Sequence, residues 1–581
     1  MPAEIASMKK LLLAISSLFC TLFLLAQGTY IPLGGDSYRY VDRFDIKYGR
    51  ILPMLHTTVK QYKRGEVARL AETMHFSNLK LNKVRQFQIQ YLMDENGEWL
   101  DSVESKTKRP LFKKLYREPA SFFHVSSKKK GLFDLRINPM IAVSVGAESK
   151  GGRFIFDRSV GLEFRGNIKR VLSFYLNVTG NSARPLSYVS DKYSRGTYRF
   201  IPGDAYFKTY SSKIFKFNDG IDFFDSRGYV NINILNYVNL QFGRDKHFIG
   251  NGMRSLILSD NAAPYLFLKL NISYWRFNYQ SIFAELTSPY LRGADQLLPK
   301  KYMAVHHLNI RMARWLDVGI FESVIMKRSN HFELQYLNPI IFYRSVEHAL
   351  GSPDNVLLGG DFKANIARRA SLYGQFVLDE FNTKYFFKGS GWWANKFGLQ
   401  LGLKYIDLAP NLDAQVEFNM VRPFTYTHPG EISYTHYNQA LAHPLGANFY
   451  EFIVNLRYQP IPKLAMNLKF FTARVGDDTL NAEGKLTNYG GDIFRPSAGA
   501  NTVGILTAGS NGELGNKIGQ GAKGTINYFQ LLTSYQPWHN IYFDAEILYR
   551  IKSSKLVLEN QSTFYFGLGM RMNIAKRNYE F

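Results

Sequence analysis

The chain has 581 residues, with 72 Lys and Arg against 47 Asp and Glu for a formal charge of +25. It is 46% hydrophobic, 15% aromatic and 20% charged. That balance is too apolar for disorder and too long for one small soluble domain. It also excludes a polytopic helical membrane protein, because only one apolar run approaches the roughly 20 residues a helical span needs.

That run, residues 11–26, follows Lys9 and Lys10 and precedes a polar, Gly-bearing stretch. It reads as a secretory signal peptide over residues 1–26, with translation beginning at Met1 or at Met8. The single cysteine, Cys20, lies inside the run behind Phe19, which is too large for a lipoprotein signal. A mature chain without cysteine excludes disulfides, thiol catalysis and Cys-ligated zinc or iron–sulfur centres.

Residues 27–130 read as an N-terminal periplasmic helical region ending in a basic linker. Val67, Leu70, Ala71 and Met74 recur at helical spacing, and Val84, Phe87 and Tyr91 repeat it after a cap at Asn82. The run Asp94, Glu95, Asn96, Gly97 lacks EF-hand spacing and reads as a polar turn. Lys106, Lys108, Arg109, Lys113, Lys114 and Arg117, then Lys128, Lys129 and Lys130, make the linker basic.

From residue 132 onward the period becomes two. Phe564, Phe566, Leu568, Met570 and Met572 share one face; Ile541, Phe543, Ala545, Ile547 and Tyr549 do the same opposite Asp544, Glu546 and Arg550. Phe397, Leu399, Leu401 and Leu403 oppose Gln400 and Lys404 in the same way. About 18 such segments alternate between tight turns (166–169, Trp275, 313–315, 367–370, 409–411, 459–462, 537–540) and long links (183–227, 288–301, 328–355, 424–447, 475–521). Short turns at one end and long loops at the other characterise outer-membrane barrels. The fold class is therefore mostly β: a transmembrane antiparallel β-barrel of about 18 strands over residues 131–581, with a small α-helical periplasmic region before it. The terminal Phe581, following the alternating strand, resembles the C-terminal assembly signal of such barrels.

Catalytic signatures are missing: there is no Gly-x-Ser-x-Gly, no His-Glu-x-x-His, no phosphate loop and no dinucleotide fingerprint. The pairs Asp379–Glu380 and Asp477–Asp478 read as solvated loop acids rather than a glycosidase dyad. His306 and His307 are strand neighbours and point to opposite faces, so one metal cannot take both. The expectation is a non-enzyme with no cofactor, no metal and no nucleic-acid partner.

One segment stands apart: Gly243, Arg244, Asp245, Lys246, then the bend Gly250-Asn251-Gly252, then Arg254, Ser255, Ser259, Asp260 and Asn261. Charges this dense belong in a lumen or at its mouth, away from lipid, so these residues are the candidate ligand-binding motif. The bend and the Ser255-Leu256-Ile257-Leu258-Ser259-Asp260-Asn261 run resemble the Wzi-type capsule assembly family of outer-membrane proteins, particularly its gliding-motility members. Tyr30-Ile31-Pro32-Leu33, His56-Thr57-Thr58-Val59-Lys60, Tyr116-Arg117-Glu118-Pro119 and Leu334-Gln335-Tyr336-Leu337-Asn338-Pro339 with Phe342-Tyr343-Arg344 carry the same resemblance. It implies an 18-stranded barrel with an N-terminal helical bundle, holding surface polysaccharide outside the cell.

The residues point to a compatible place by themselves. Trp392, Trp393, Tyr434, Tyr437 and Tyr489 on outer loops offer planar faces for sugar rings, and the positive charge favours an anionic polymer. Lipopolysaccharide and outer-membrane lipid are the expected membrane partners. A motility or adhesion component with a protein partner is the alternative, and a diffusion porin the second alternative.

Overall fold

The computed structural model describes residues 28–49, 55–77, 79–100, 118–127, 132–149, 152–169, 171–194, 199–235, 237–291, 297–328, 333–480, 486–495, 513–556 and 560–581. The expected signal peptide and the two basic clusters of the linker lie outside the described residues.

Eighteen antiparallel strands close into a barrel. The first six are β1 Phe133–Glu148, β2 Arg153–Ile168, β3 Leu172–Arg184, β4 Phe217–Leu235, β5 Val238–Asp245 and β6 Tyr265–Tyr274. The next six are β7 Phe277–Thr287, β8 Lys300–Ala313, β9 Leu316–Met326, β10 Asn355–Ile366, β11 Ala370–Glu380 and β12 Lys396–Ala409. The last six are β13 Leu412–Val421, β14 Phe449–Ile461, β15 Leu464–Asp477, β16 Ala522–Trp538, β17 Ile541–Ser554 and β18 Gln561–Met572. Pairing of β18 with β1, from Tyr565 opposite Glu148 to Met572 opposite Ile141, closes the ring and leaves no sheet edge.

Exposure along the strands is the reverse of a soluble sandwich. On β18 the apolar Phe564, Phe566 and Leu568 are 46%, 47% and 52% exposed, whereas lumen-facing Asp544, Glu546 and Arg550 of β17 are buried. A wall that shows its apolar side outward is stable only against lipid. Tyr237, Tyr274, Trp275, Trp315, Tyr535 and Trp538 are exposed around the tight-turn end and form its interfacial girdle. Tight turns mark the periplasmic end, so the barrel sits in the outer membrane with its long links outward.

Three helices fill the periplasmic mouth: α1 Asp36–Tyr48, α2 Arg64–His75 and α3 Lys83–Glu95. They match the sequence period. Val67, Leu70, Ala71 and Met74 are buried in one cluster, and the Asn82 side chain caps α3 by accepting from Arg85 N at 2.9 Å. The bundle docks on the turns below it. Arg43 pairs with Asp407 and Asp413, and Arg85 reaches Asp407 at 2.5 Å. Glu95 is no simple turn residue; it meets Arg64 and His539, each at 3.0 Å, and accepts from Asn540 at 2.6 Å.

Three sequence expectations are corrected. The link read as 183–227 ends at residue 216, because β4 begins at Phe217. Phe581 does not close a strand: β18 ends at Met572, and residues 573–581 turn back into the lumen, where Phe581 packs 5.0 Å from Phe471 and Glu580 binds Arg254 at 2.6 Å. The acid pairs are not merely solvated. Asp379 accepts from Tyr426 N at 2.7 Å and Asp478 from Tyr489 N at 2.8 Å, so each pins a loop.

Candidate ligand sites in the lumen and at the outer mouth

The motif after β5 folds inward across the lumen. Phe248 and Ile249 pair with Val59 and Lys60, which joins the segment to the helical region. Gly250 donates to the Thr58 carbonyl at 2.8 Å, and Asn251 Nδ2 to Thr58 Oγ1 at 2.9 Å. Gly250 has φ of 142°, a conformation that favours glycine. At Gly252 a Cβ would lie 2.5 Å from Glu417 Oε2 and 2.6 Å from the Arg254 carbonyl, so the backbone passes where no side chain fits.

Beyond the bend the motif is held by wall residues. Glu417 accepts from Met253 N and Arg254 N at 2.7 and 3.1 Å, and Gln375 Oε1 accepts from Leu256 N at 2.8 Å. Leu256, Ile257 and Leu258 are fully buried. The loop after β13 descends to meet them: Leu441 O accepts from Ser259 N at 2.8 Å, and Ala440 O from Asn261 Nδ2 at 3.1 Å. The Arg254 guanidinium bridges Glu451 at 3.1 Å and Glu580 of the tail at 2.6 Å, and His443 covers Glu451 at 2.7 Å.

Between motif, tail and wall lies a cavity of about 580 Å³, lined by Lys246, Arg254, Ser255, Ser259, Asp260 and Asn261 of the motif. Arg227, Lys469, Lys576 and Arg577 add positive charge, and Asp204, Asp225 and Glu580 answer it. Lys246 differs from the rest in that its ammonium contacts carbonyl oxygens, Gly203 at 2.7 Å and Asp260 at 3.2 Å. Burial and the neighbouring Arg227 bring its pKa down to about 8. Burial pushes the Glu580 carboxyl up, but Arg254 and Lys469 outweigh it and hold the group at about 2.

The predicted motif thus divides in two. Gly243 sits on β5 against the Gly228 carbonyl, while Arg244 pairs across from Gly228 and Leu266 on the outward-facing row, away from the lumen. Asp245 accepts from Gln61 at 2.8 Å, Gly250 and Asn251 fasten the bend to Thr58, and Gly252 lets the backbone pass close to Glu417. These six are architectural. The cavity-lining half is where a ligand group could enter.

The aromatic set divides too. Tyr434 is fully buried beside Tyr426, and Trp393 is 9% exposed against Phe424, so neither can stack on a sugar. Tyr437 is half-buried beside Tyr290, and Tyr489 is half-buried where the β15–β16 link crosses the loop after β13. Trp392 is half-buried, stacked on Tyr385 at 4.9 Å, and stands at the outer rim. Sequence reading missed Tyr385 and the rim lysines around it. Lys384 and Lys388 are exposed on the Trp392 link and Lys517 on the link that meets it, and Lys208, Lys213, Lys216, Lys523 and Lys555 are exposed on or beside other outer links. Residues 390–391 meet 515–516 through backbone bonds of 2.8 Å, which brings the lysines of two distant links together. Among the described residues no three His, Cys, Asp or Glu side chains gather in a metal-binding group.

No protein-family model matches the chain, and no curated protein matches it. Solved structures do. Wzi of Escherichia coli, an outer-membrane protein involved in group 1 capsule assembly and described as a carbohydrate-binding β-barrel, aligns with TM-score 0.55 and 12% identity over 94% of this chain and 100% of its own. OprD of Pseudomonas aeruginosa aligns over 75% of this chain and 94% of its own at 11% identity, with TM-score 0.39. OccAB2 of Acinetobacter baumannii covers 75% of this chain and 97% of its own at 9% identity, with TM-score 0.40, and both matches are too loose to bear on function. The chain is an outer-membrane β-barrel that shares the fold of Wzi.

Proposed function

We propose that the protein holds anionic polysaccharide at the cell surface and does not conduct it. The observation that carries this reading is the Trp392–Tyr385 stack with exposed lysines on its own and neighbouring outer links, above a lumen occupied by helices, the glycine-bend motif, the loop after β13 and the tail. Stacked aromatic rings offer a sugar an apolar face, and flanking ammonium groups attract uronate or phosphate. The carbohydrate binding described for Wzi, which has the same barrel, supports the same class of ligand. A filled lumen weighs against a diffusion porin, and the reading requires no catalytic group.

The test uses purified protein in detergent and immobilised polysaccharides, one uronate-containing and one neutral. The uronate polymer is expected to be retained, and more weakly as salt rises, because exposed charges are screened over about 8 Å at physiological ionic strength. Trp392→Ala is expected to weaken retention at low and high salt alike, and Lys384→Ala with Lys388→Ala mainly at low salt. Equal retention of both polymers by every variant contradicts the proposal. The resemblance to gliding-motility members supports a second reading, in which the outer lysines dock a protein partner; that reading predicts no retention of either polymer.

A further inference from the structure

Residues 333–354, in the link between β9 and β10, do not stand above the outer mouth. They fold down over the outside of the barrel. Tyr336, Tyr343 and Val346 are buried there against Ala304, Val324 and Val356, which face outward from β8, β9 and β10. The link is stapled at its base, where Arg328 grips Asp354 with two bonds of 2.7 Å and Tyr336 donates to the same carboxylate at 2.8 Å.

Beneath it lies a polar pair in an unexpected place. His306 and Glu322 are cross-strand neighbours on β8 and β9, bonded at 2.8 Å, and both face out of the barrel. His307, by contrast, points into the lumen and binds Asp361 at 2.6 Å. The Tyr343 ring stacks on His306 with centroids 3.9 Å apart, and Tyr343 N donates to Glu322 at 3.0 Å. Counted from the girdle residue Trp315, a membrane-crossing strand of about 9–11 residues reaches the far interface near residues 324–326. Glu322 and His306 therefore lie within the apolar layer, shielded by the link.

One edge of this link is apolar, while Gln335, Asn338, Arg344, Ser345 and His348 are its exposed polar residues. Ile340 is 89% exposed, Phe342 71%, Leu334 67% and Ile341 39%. Irregular backbone in hydrocarbon must find its hydrogen bonds within the protein, and part of this stretch does so. Asn338 N donates to Gln335 O at 3.3 Å, Pro339 has no N–H, and its carbonyl accepts from the Tyr279 hydroxyl on the outer wall. Ile340 N donates to the Asn338 side chain at 3.1 Å, and Phe342 O accepts from Ser345 N at 3.0 Å.

We propose that residues 333–350 are a membrane-inserted strap whose Leu334, Ile340, Ile341 and Phe342 edge contacts the acyl chains of the outer leaflet. The occupant is lipid because the edge continues the barrel's own lipid-facing surface: Ile320, directly below Glu322 on the same face of β9, is 57% exposed. The strap seals the hydrogen-bonded His306–Glu322 pair from hydrocarbon and widens the apolar belt on one side of the barrel.

Spin labels at Ile340→Cys and Phe342→Cys, each in a Cys20→Ser background and reconstituted in liposomes, test this by collision with oxygen and with a water-soluble nickel chelate. Phe376→Cys on the lipid-facing wall and Ile214→Cys on an outer loop are the references, and heat-modifiable migration verifies folding. The oxygen-to-nickel ratio at 340 and 342 is expected to match that at 376 and to exceed that at 214 by about tenfold, since water is absent from the bilayer core. Nickel access equal to that at 214 would place the strap in water and overturn the proposal. Shielding from both reagents would show a protein covering the edge, and would overturn the lipid assignment equally.

Discussion

Arg254 is the residue on which the lumen converges. Its guanidinium holds Glu451 of the wall and Glu580 of the tail, and its side chain is 11% exposed. Arg254→Ala takes the arginine from buried Glu451 and leaves Glu580 with Lys469 alone, and breaking a buried pair costs about 3–5 kcal/mol; urea unfolding in detergent measures it. Glu580 adds a pH signature. Its carboxyl is held at about 2, below its ordinary 4.5, so its contribution is complete above 4.5 and is lost as pH falls from 4.5 towards 2. A fluorophore at Asn578→Cys should report tail release in that window, and Glu580→Gln should abolish the transition; a flat response from the native carboxylate contradicts the assignment. The glycine bend was legible in the sequence as special, but its purpose was not. Gly252 is glycine because Glu417 and Arg254 crowd it, and Glu417 lies on a strand far along the chain. Spacing within a segment cannot show whether its polar groups face a ligand or a distant strand. Tyr434 and Trp393 are no sugar platforms for the same reason: the loop after β13 folds inward and buries Tyr434, and Phe424 of that loop covers Trp393.

Strands were the most legible elements, because lipid on one side and a polar lumen on the other enforce a strict period of two. The phase of tight turns and long links was legible too, and so were helices α2 and α3 through their apolar spacing. The fate of each long link was not, since inward folding, outward wrapping and projection into water depend on contacts made after the chain closes. The loop after β13 turns inward, where its Leu441 meets Ser259 of the motif, and the strap turns outward over His306. Docking of the helical bundle rests on a few charges. Burial pushes the Glu95 carboxyl up, but Arg64, His539 and Arg165 outweigh it and hold it far below the usual carboxylate range. That contribution is present above the ordinary 4.5 and is lost as pH falls below it. The native protein in planar bilayers should be silent at neutral pH, whereas Glu95→Ala combined with Arg43→Ala should show intermittent openings. Large steady ohmic steps from the native protein would contradict a filled lumen.

For the whole molecule, net charge and architecture point the same way. The formal charge is +25, yet the lumen cavity pairs most of its cations with Asp and Glu, so the surplus resides elsewhere, including the exposed lysines of the outer links. On the proposed reading, a positive rim on a filled barrel would retain an anionic polymer at the surface without passing it through. The same rim sits near the headgroups and would attract lipopolysaccharide phosphates, which is why binding in detergent to a polymer free of lipid carries weight. Retention on living cells is the most direct measurement of the central claim. In cells lacking the protein, surface-attached acidic polysaccharide is expected to fall and the same polymer to accumulate in the medium, with restoration by the native gene and not by the Lys384→Ala, Lys388→Ala, Trp392→Ala variant. Unchanged surface polysaccharide in those cells, with or without a loss of movement on surfaces, would contradict the account.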